Sequence, residues 1–171
     1  MQIRKIRFKR TGPNGRIIGV LIKYSATTHA GDEDMITMDC TDAPAPEFIH
    51  GMGAIAEHVF PWIGFAGELF ASGLDLSHHA QTGALRAVIT LETFVERAGA
   101  AMSLRLPRLT EHSGVRTDDE GREHQVPIPV KHFGPDLKAT LLKIVGHAED
   151  YVRGVRAQMD LFTVEQKAAL K

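Results

Sequence analysis

Only one cysteine, Cys40, occurs among the 171 residues, which excludes an intrachain disulfide and is typical of a protein from a reducing compartment. Long apolar runs are also missing, because no stretch approaches the roughly 20 residues that span a bilayer. The formal net charge is −1, so the overall charge gives no indication of a nucleic-acid partner. These absences predict a cytoplasmic protein without a membrane segment.

Length and composition indicate a single folded domain. The hydrophobic content of 43% and the charged content of 24% are ordinary globular values, and a chain of this length can bury a core without cross-links. The N-terminal stretch MQIRKIRFKRTG is basic but has no apolar run, so we expect no signal peptide. We expect residues 1–157 to form one domain and residues 158–171 to form a C-terminal peptide and tail.

The N-terminal quarter of the chain contains three predicted strands. Apolar and polar residues alternate over residues 2–10, a period-two pattern that is typical of a half-buried strand. The turn sequence TGPNG follows, and residues 16–24 are rich in β-branched side chains, so the two runs predict a β-hairpin. Residues 34–40 predict the third strand.

A helix is predicted after the third strand. Pro46 suits its first turn, and Glu47 complements the positive end of the helix dipole. One apolar stripe recurs at helical spacing and consists of Phe48, Met52, Ile55 and Val59. Pro61 is expected to end the helix, because proline interrupts helical hydrogen bonding.

The second half of the chain repeats the order of strands followed by a helix. Residues 69–77, 84–96 and 101–109 predict three strands, although the middle run also fits one face of a helix. Its β-branched density and the following Gly99 favour a strand. Residues 110–132 are polar and are predicted to form a long surface loop.

The strongest helical pattern covers residues 134–158, where Pro135 suits the first turn. Its apolar stripe consists of Leu137, Leu141, Ile144, Ala148, Tyr151 and Val155. The chain is therefore predicted to have an α+β fold of order βββα-βββα, in which a mostly antiparallel sheet packs with two helices.

The last helical pattern ends in a short motif, QMDLF, which begins at Gln158. It resembles the clamp-binding motif of bacterial replication and repair proteins, whose common form is Gln-Leu-Ser/Asp-Leu-Phe. The resemblance implies that Gln158 makes a hydrogen bond at the rim of a groove on the β sliding clamp, and that Leu161 and Phe162 fill its apolar pocket. Asp160 fits the motif, whereas Met159 replaces leucine with a flexible side chain of similar volume.

The resemblance extends beyond the motif. Small phage and prophage proteins of DNA metabolism similarly combine a β-rich body and a terminal helix with an RAQ-x-x-LF ending. The matching features here are the N-terminal hairpin, DAPAPEF before the first helix, and RAQMDLF. In a competing interpretation, Leu161 and Phe162 pack against the protein's own core instead of a partner.

Basic residues are concentrated near the N-terminus, where they precede the first acidic residue, Asp32. Strand alternation places three of them on one face, and such a ladder predicts contacts with the phosphates of single-stranded DNA. The alternative is a solvated sheet face or a charged edge strand that discourages aggregation. Tyr24 is the nearby aromatic side chain expected to be exposed for base stacking. The predicted nucleic-acid-binding residues are Lys5, Arg7, Lys9, Arg16 and Lys23.

Motifs for catalysis or metal binding are not evident in the sequence. Nine histidines are present, but their spacing is not that of a metal site and no cysteine pair exists, so we expect no metal and no cofactor. The chain contains neither a Gly-x-x-x-x-Gly-Lys-Ser/Thr loop nor a Gly-x-Ser-x-Gly elbow. The carboxylates of TDDEG at residues 117–121 fall in the predicted polar loop. We therefore expect no catalytic residues and a protein that is not an enzyme.

The sequence thus predicts an accessory protein of phage or prophage DNA replication or recombination, which binds the bacterial β sliding clamp through QMDLF. One alternative is a single-stranded DNA-binding module that uses the basic N-terminal hairpin. Another is a ligand-binding protein or a protein that counters host defence.

Overall fold

The computed structural model describes residues 1–10, 16–27, 31–63, 69–95 and 100–155. Within these ranges the chain has an α+β fold, in which a mostly antiparallel sheet packs with two helices. The predicted order βββα-βββα is confirmed, with short additional strands before the last helix. QMDLF, at residues 158–162, lies outside the described residues.

The elements of the first half are β1 (Gln2–Arg10), β2 (Ile17–Thr27), β3 (Glu33–Cys40) and α1 (Pro46–Ile63). The second half begins with β4 (Phe70–His78), β5 (Leu85–Val95) and β6 (Ala100–Arg105). It continues with the short strands β7 (Leu109–Glu111), β8 (Val115–Thr117), β9 (Glu123–Gln125) and β10 (His132–Phe133), and then with α2 (Pro135–Val152).

The main sheet has the strand order β10-β7-β5-β4-β1-β2-β3. β6 and β7 pair with successive parts of the same edge of β5. Neighbouring strands are antiparallel, except for the parallel pair of β10 and β7. β8 and β9 form a separate hairpin. The predicted hairpin of β1 and β2 is therefore in the interior of the sheet, since β4 pairs with the other edge of β1.

One face of the sheet carries the hydrophobic core. Alternation in β1 turns Ile6 and Phe8 to this face, and both side chains are buried. The alternate apolar side chains of β5 from Leu85 to Leu91 are buried as well, and this segment is a strand, as its composition favoured. Because the two described helices cover this face, the same strands can carry charged side chains on the other.

Both helices lie on the core side of the sheet and run antiparallel to each other. The ring of Phe48, at the start of α1, is 6.1 Å from the ring of Tyr151, at the end of α2. Near the opposite end of the pair, His58 Nε2 lies 3.0 Å from Thr140 Oγ1. The predicted stripe of α1 is entirely buried, and each fully buried large apolar side chain contributes about 1.5–3 kcal/mol.

The two helix ends differ from the expectations. Pro61 lies in the last turn of α1, where its missing N–H removes a single helical hydrogen bond, so the helix continues to Ile63. α2 ends at Val152, because Gly154 takes a left-handed conformation with φ of 103°. Val155 is consequently 55% exposed and does not belong to the buried stripe.

The segment between β5 and α2 is also divided differently from the prediction. The single strand expected over residues 101–109 is interrupted between β6 and β7, where Pro107 has no N–H to donate to a sheet ladder. The prediction of a loop over residues 110–132 is wrong, because this segment contains most of β7, the β8–β9 hairpin and the start of β10.

Leu141 and Leu142 are adjacent in α2 but have opposite surroundings, since Leu141 is fully buried and Leu142 is 51% exposed. We expect Leu141→Ala to lower the free energy of unfolding by about 2–5 kcal/mol, because it leaves a cavity in the core. Leu142→Ala, the matched control, should change it by less than about 0.5 kcal/mol. Urea unfolding followed by circular dichroism measures both values. Equal effects of the two substitutions would contradict this assignment of the buried face.

Candidate nucleic-acid interface

The side of the sheet that faces away from the helices is polar. Lys5 of β1 pairs in register with Lys23 of β2 and with Asp75 of β4, so all three side chains lie on this side. The row along β1 that alternation predicted is therefore present. We call five of the outward cations of this side the open basic face: Lys5, Arg7, Lys9, Lys23 and Arg105.

Asp75 is the centre of a group of ion pairs on the open basic face. Its Oδ2 atom accepts a hydrogen bond from Arg7 Nη2 and another from Arg105 Nη2, each 3.0 Å long. Lys5 Nζ lies 3.9 Å from Oδ1 of the same carboxylate. Three cations share one carboxylate, so this group keeps an excess of positive charge.

Gly73 provides the surface on which Arg7 lies. The two residues are partners in register between β1 and β4. A Cβ atom at position 73 would overlap the guanidinium group of Arg7, so only glycine leaves room for this side chain. Arg7 Nη1 also donates a hydrogen bond to Ile6 O at 3.0 Å. The guanidinium of Arg7 is thus held from several sides, in one orientation.

The other predicted nucleic-acid-binding residues have separate surroundings. Lys9 forms an ion pair with Asp39 of β3. Lys23 is half-buried beside Lys5 in register. Arg16 is exposed and precedes the first residue of β2, so the register does not place it in the row. The structure brings four of the five predicted residues onto one face.

Arg105 is a member of the open basic face that the sequence did not indicate. It lies far from β1 in the sequence, on a strand whose alternation drew attention only to its apolar residues. Three registers connect it to Arg7: Arg7 pairs with Gly73, Gly73 with Thr90, and Thr90 with Arg105. These pairings follow from the sheet topology and leave no local signal in the sequence.

Tyr24 differs from the expectation for a nucleic-acid site, and Arg10 contacts an aromatic ring. Tyr24, which was expected to be exposed, pairs in register with Ile3 and packs half-buried against the core. Arg10 lies with its guanidinium carbon 3.8 Å from the centroid of the Phe70 ring. Burial lowers the pKa of Arg10, although the nearby Glu92 opposes this shift. Tyr24 is therefore not placed to stack on bases beside the open basic face.

The carboxylates of residues 117–121 have a structural role in the β8–β9 hairpin. Asp118 Oδ1 accepts hydrogen bonds from the backbone N–H groups of Glu120, at 3.0 Å, and Arg122, at 2.8 Å. His124 Nε2 lies 2.8 Å from Asp118 Oδ2, and this hydrogen bond is the main cause of the lowered pKa of Asp118. Asp118 thus closes the turn between the two strands.

Three other expectations from the sequence concern a metal site, a membrane segment and the clamp-binding residues. In the part of the chain that is described, no three His, Cys, Asp or Glu side chains are arranged to hold a metal ion. None of the helices described is long and apolar enough to cross a membrane. Outside the described residues lie Gln158, Met159, Asp160, Leu161 and Phe162.

An apolar cavity of about 580 Å³ lies where the end of α1 meets the segment before β10. Its size is within the range of small-molecule pockets. The apolar side chains that line it include Trp62, Ile63, Leu106, Ile128 and Val130.

Comparisons of the chain with protein-family models, with curated proteins and with solved structures gave no match. Any function proposed for it therefore depends on its own residues and their geometry.

Gly73→Ala tests the packing of Arg7 on Gly73. The added methyl group would displace the flexible guanidinium from its ion pair with Asp75, so we expect the free energy of unfolding to change by less than about 1 kcal/mol. In an Arg7→Ala background the overlap is gone, and alanine should stabilise the strand by roughly 0.5–1 kcal/mol relative to glycine. A double-mutant cycle from urea unfolding measures this coupling. Purely additive effects would mean that Arg7 does not rest on Gly73.

Proposed function

We propose that this chain is an accessory protein of phage or prophage DNA replication or recombination, which acts in the cytoplasm and binds the β sliding clamp. The observation that carries the proposal is QMDLF, which differs from the common clamp-binding motif only at Met159. Methionine and leucine have similar volumes, so this difference preserves the apolar character of the position.

The place of the motif in the chain supports a role in binding a partner. α2 ends at Val152, and the N–H of Arg153 closes its last turn by a hydrogen bond of 3.0 Å to Glu149 O. Gln158 follows in the sequence after this last helix. A peptide joined to the end of a helix by a short connection can enter a groove on another protein without disturbing its own domain.

The chemistry of the motif suits an apolar groove with a polar rim. Leu161 and Phe162 are adjacent hydrophobic residues, and a few such anchors dominate the affinity of small interfaces. The side-chain amide of Gln158 can both donate and accept a hydrogen bond, which fixes the register of the peptide. In the resembled family the clamp is a ring-shaped dimer, so modest affinity for each site is enough to raise the local concentration of the bound protein.

Calorimetric titration of the full chain with a purified bacterial β sliding clamp tests the attachment to the clamp through QMDLF, which we call the tether. We expect the wild type to bind, and the double variant Leu161→Ala/Phe162→Ala to lose at least about a hundredfold in affinity, because the loss of two apolar anchors removes several kcal/mol. Leu170→Ala, which alters an apolar residue of the same tail outside the motif, should bind like the wild type. Unchanged binding by the double variant would refute the tether.

Thermal melting of a chain that ends at residue 157 addresses the competing interpretation, in which Leu161 and Phe162 belong to the core. A peptide that serves a partner can be deleted with a change of melting temperature of only about 2 °C. Burial of both side chains in the core would instead lower the melting temperature by about ten degrees or more.

The open basic face favours a second function, the binding of single-stranded DNA. Within the described residues, the ion pairs of its five cations involve two carboxylates, Asp75 and Asp39. Contacts between such a face and phosphates do not depend on base sequence. This function is compatible with the tether, because the face and the peptide are different parts of the chain.

Lys9→Gln combined with Lys23→Gln removes two charges from the open basic face, and neither lysine forms an ion pair with Asp75. We expect the wild type to bind single-stranded DNA in a salt-dependent manner. The double variant should lower the slope of log affinity against log salt by about 1.4, because each phosphate contact contributes about 0.7. The control is Lys143→Gln, an exposed position of α2. Gel shifts at several salt concentrations measure the slopes, and a wild type that does not bind at low salt would refute this second function.

A further inference from the structure

The ion pairs of Asp75 connect strands that are not neighbours. Arg7, Gly73, Thr90 and Arg105 form one row across β1, β4, β5 and β6. Adjacent strands are about 4.8 Å apart, so the backbones at the two ends of this row are roughly 14 Å apart. Both guanidinium groups nevertheless reach Oδ2 of Asp75. The two arginines therefore converge from opposite ends of the row.

Two residues of this row, Gly73 and Thr90, lie between the two arginines. Gly73 contributes no side chain there, and Thr90 is its partner in register. Thr90 Oγ1 is buried and has no hydrogen-bond partner in the described part of the chain. Buried hydroxyl groups in folded proteins normally have a partner, and exceptions often lie near a site for an ion or ligand.

The guanidinium groups of Arg7 and Arg105 have more N–H donors than their hydrogen bonds to Asp75 use. Arg105 has a side chain that is 65% exposed, so its guanidinium is accessible to a ligand while it bonds Asp75. Arg7 is only 24% exposed and is held by Ile6 O as well as by Asp75. The planar guanidinium group of arginine binds a phosphate with the same parallel N–H donors that bind a carboxylate. The carboxylate of Asp75 and a phosphate would thus be ligands of the same guanidinium groups.

We propose that Lys5, Arg7 and Arg105 form a phosphate-binding centre for the backbone of single-stranded DNA, in which Asp75 aligns the cations and competes with the phosphate for them. This inference rests on the second function proposed above and names the residues that carry it. Alignment by Asp75 removes part of the entropic cost of ordering two long side chains. Competition by Asp75 keeps the affinity low, so that bound DNA is released readily.

Asp75→Asn tests the competition, because it removes the charge of Asp75 and preserves its shape. Asp39→Asn is the matched control, since it changes the charge of the same face by the same amount but at the partner of Lys9. Fluorescence anisotropy of the full chain with a labelled single-stranded oligonucleotide measures both affinities. We expect Asp75→Asn to bind about tenfold more tightly than the wild type, and Asp39→Asn no more than about twofold more tightly. Equal gains would reflect net charge alone and would overturn the proposal.

Arg105→Gln provides an independent readout at an exposed position that the fold tolerates. We expect about a tenfold loss of affinity and a fall of about 0.7 in the salt slope. Arg108→Gln, also at an exposed position but outside the row, should leave both unchanged. Melting curves report whether each variant is folded. If Asp75→Asn does not fold, the comparison of Arg105→Gln with Arg108→Gln tests the phosphate-binding centre by itself.

The possible failures separate this inference from the functions on which it depends. Wild-type binding that neither Asp75→Asn nor Arg105→Gln alters would overturn the phosphate-binding centre and leave the second function standing. If neither the wild type nor Asp75→Asn binds single-stranded DNA, both the phosphate-binding centre and the second function are overturned. Neither result affects the clamp titration, which depends on Leu161 and Phe162.

Discussion

Side chains alternate along β1 and along β4 from Leu74 onward, so every second side chain packs under the two helices and the others lie on the opposite side. Ile6 and Leu74 are fully buried, and their chain neighbours Arg7 and Asp75 meet on the opposite side. A slip of the register by one residue would turn charges into the core and apolar side chains to solvent. The burial of Ile6 and Leu74 therefore fixes the ion pairs of Asp75 as firmly as it fixes the core.

The ion pairs on the open side contribute little to the stability of the fold. Pairs at such partly exposed positions are typically worth about 1 kcal/mol or less each, because water screens them and their long side chains lose entropy. Their main effect is to hold Arg7, Arg105 and Lys5 close together. The core and the open basic face are consequently on opposite sides of the sheet, and binding at the open basic face requires no rearrangement of the core.

The elements that could be predicted are those whose signal is local. Alternation in β1 and the stripe from Phe48 to Val59 were sufficient to place strands, helices and their buried sides. The exposure of Val155 was not predictable from the stripe, because it depends on the left-handed Gly154 that ends α2. Arg105 and the half-buried Tyr24 depend on which strands pair. Pairing over long sequence separations has no counterpart in the local pattern of residues.

Tyr151, near the end of α2, donates a hydrogen bond of 2.6 Å to the backbone oxygen of Asp42, just after β3. β3 is an outer strand of the sheet, and five strand spacings, or about 24 Å, separate it from β6. The hydrogen bond of Tyr151 therefore holds the end of α2 at one edge of the sheet, whereas Arg105 lies near the opposite edge. Any rotation of the domain about the end of α2 would move Arg105 through an arc whose radius is about the width of the sheet.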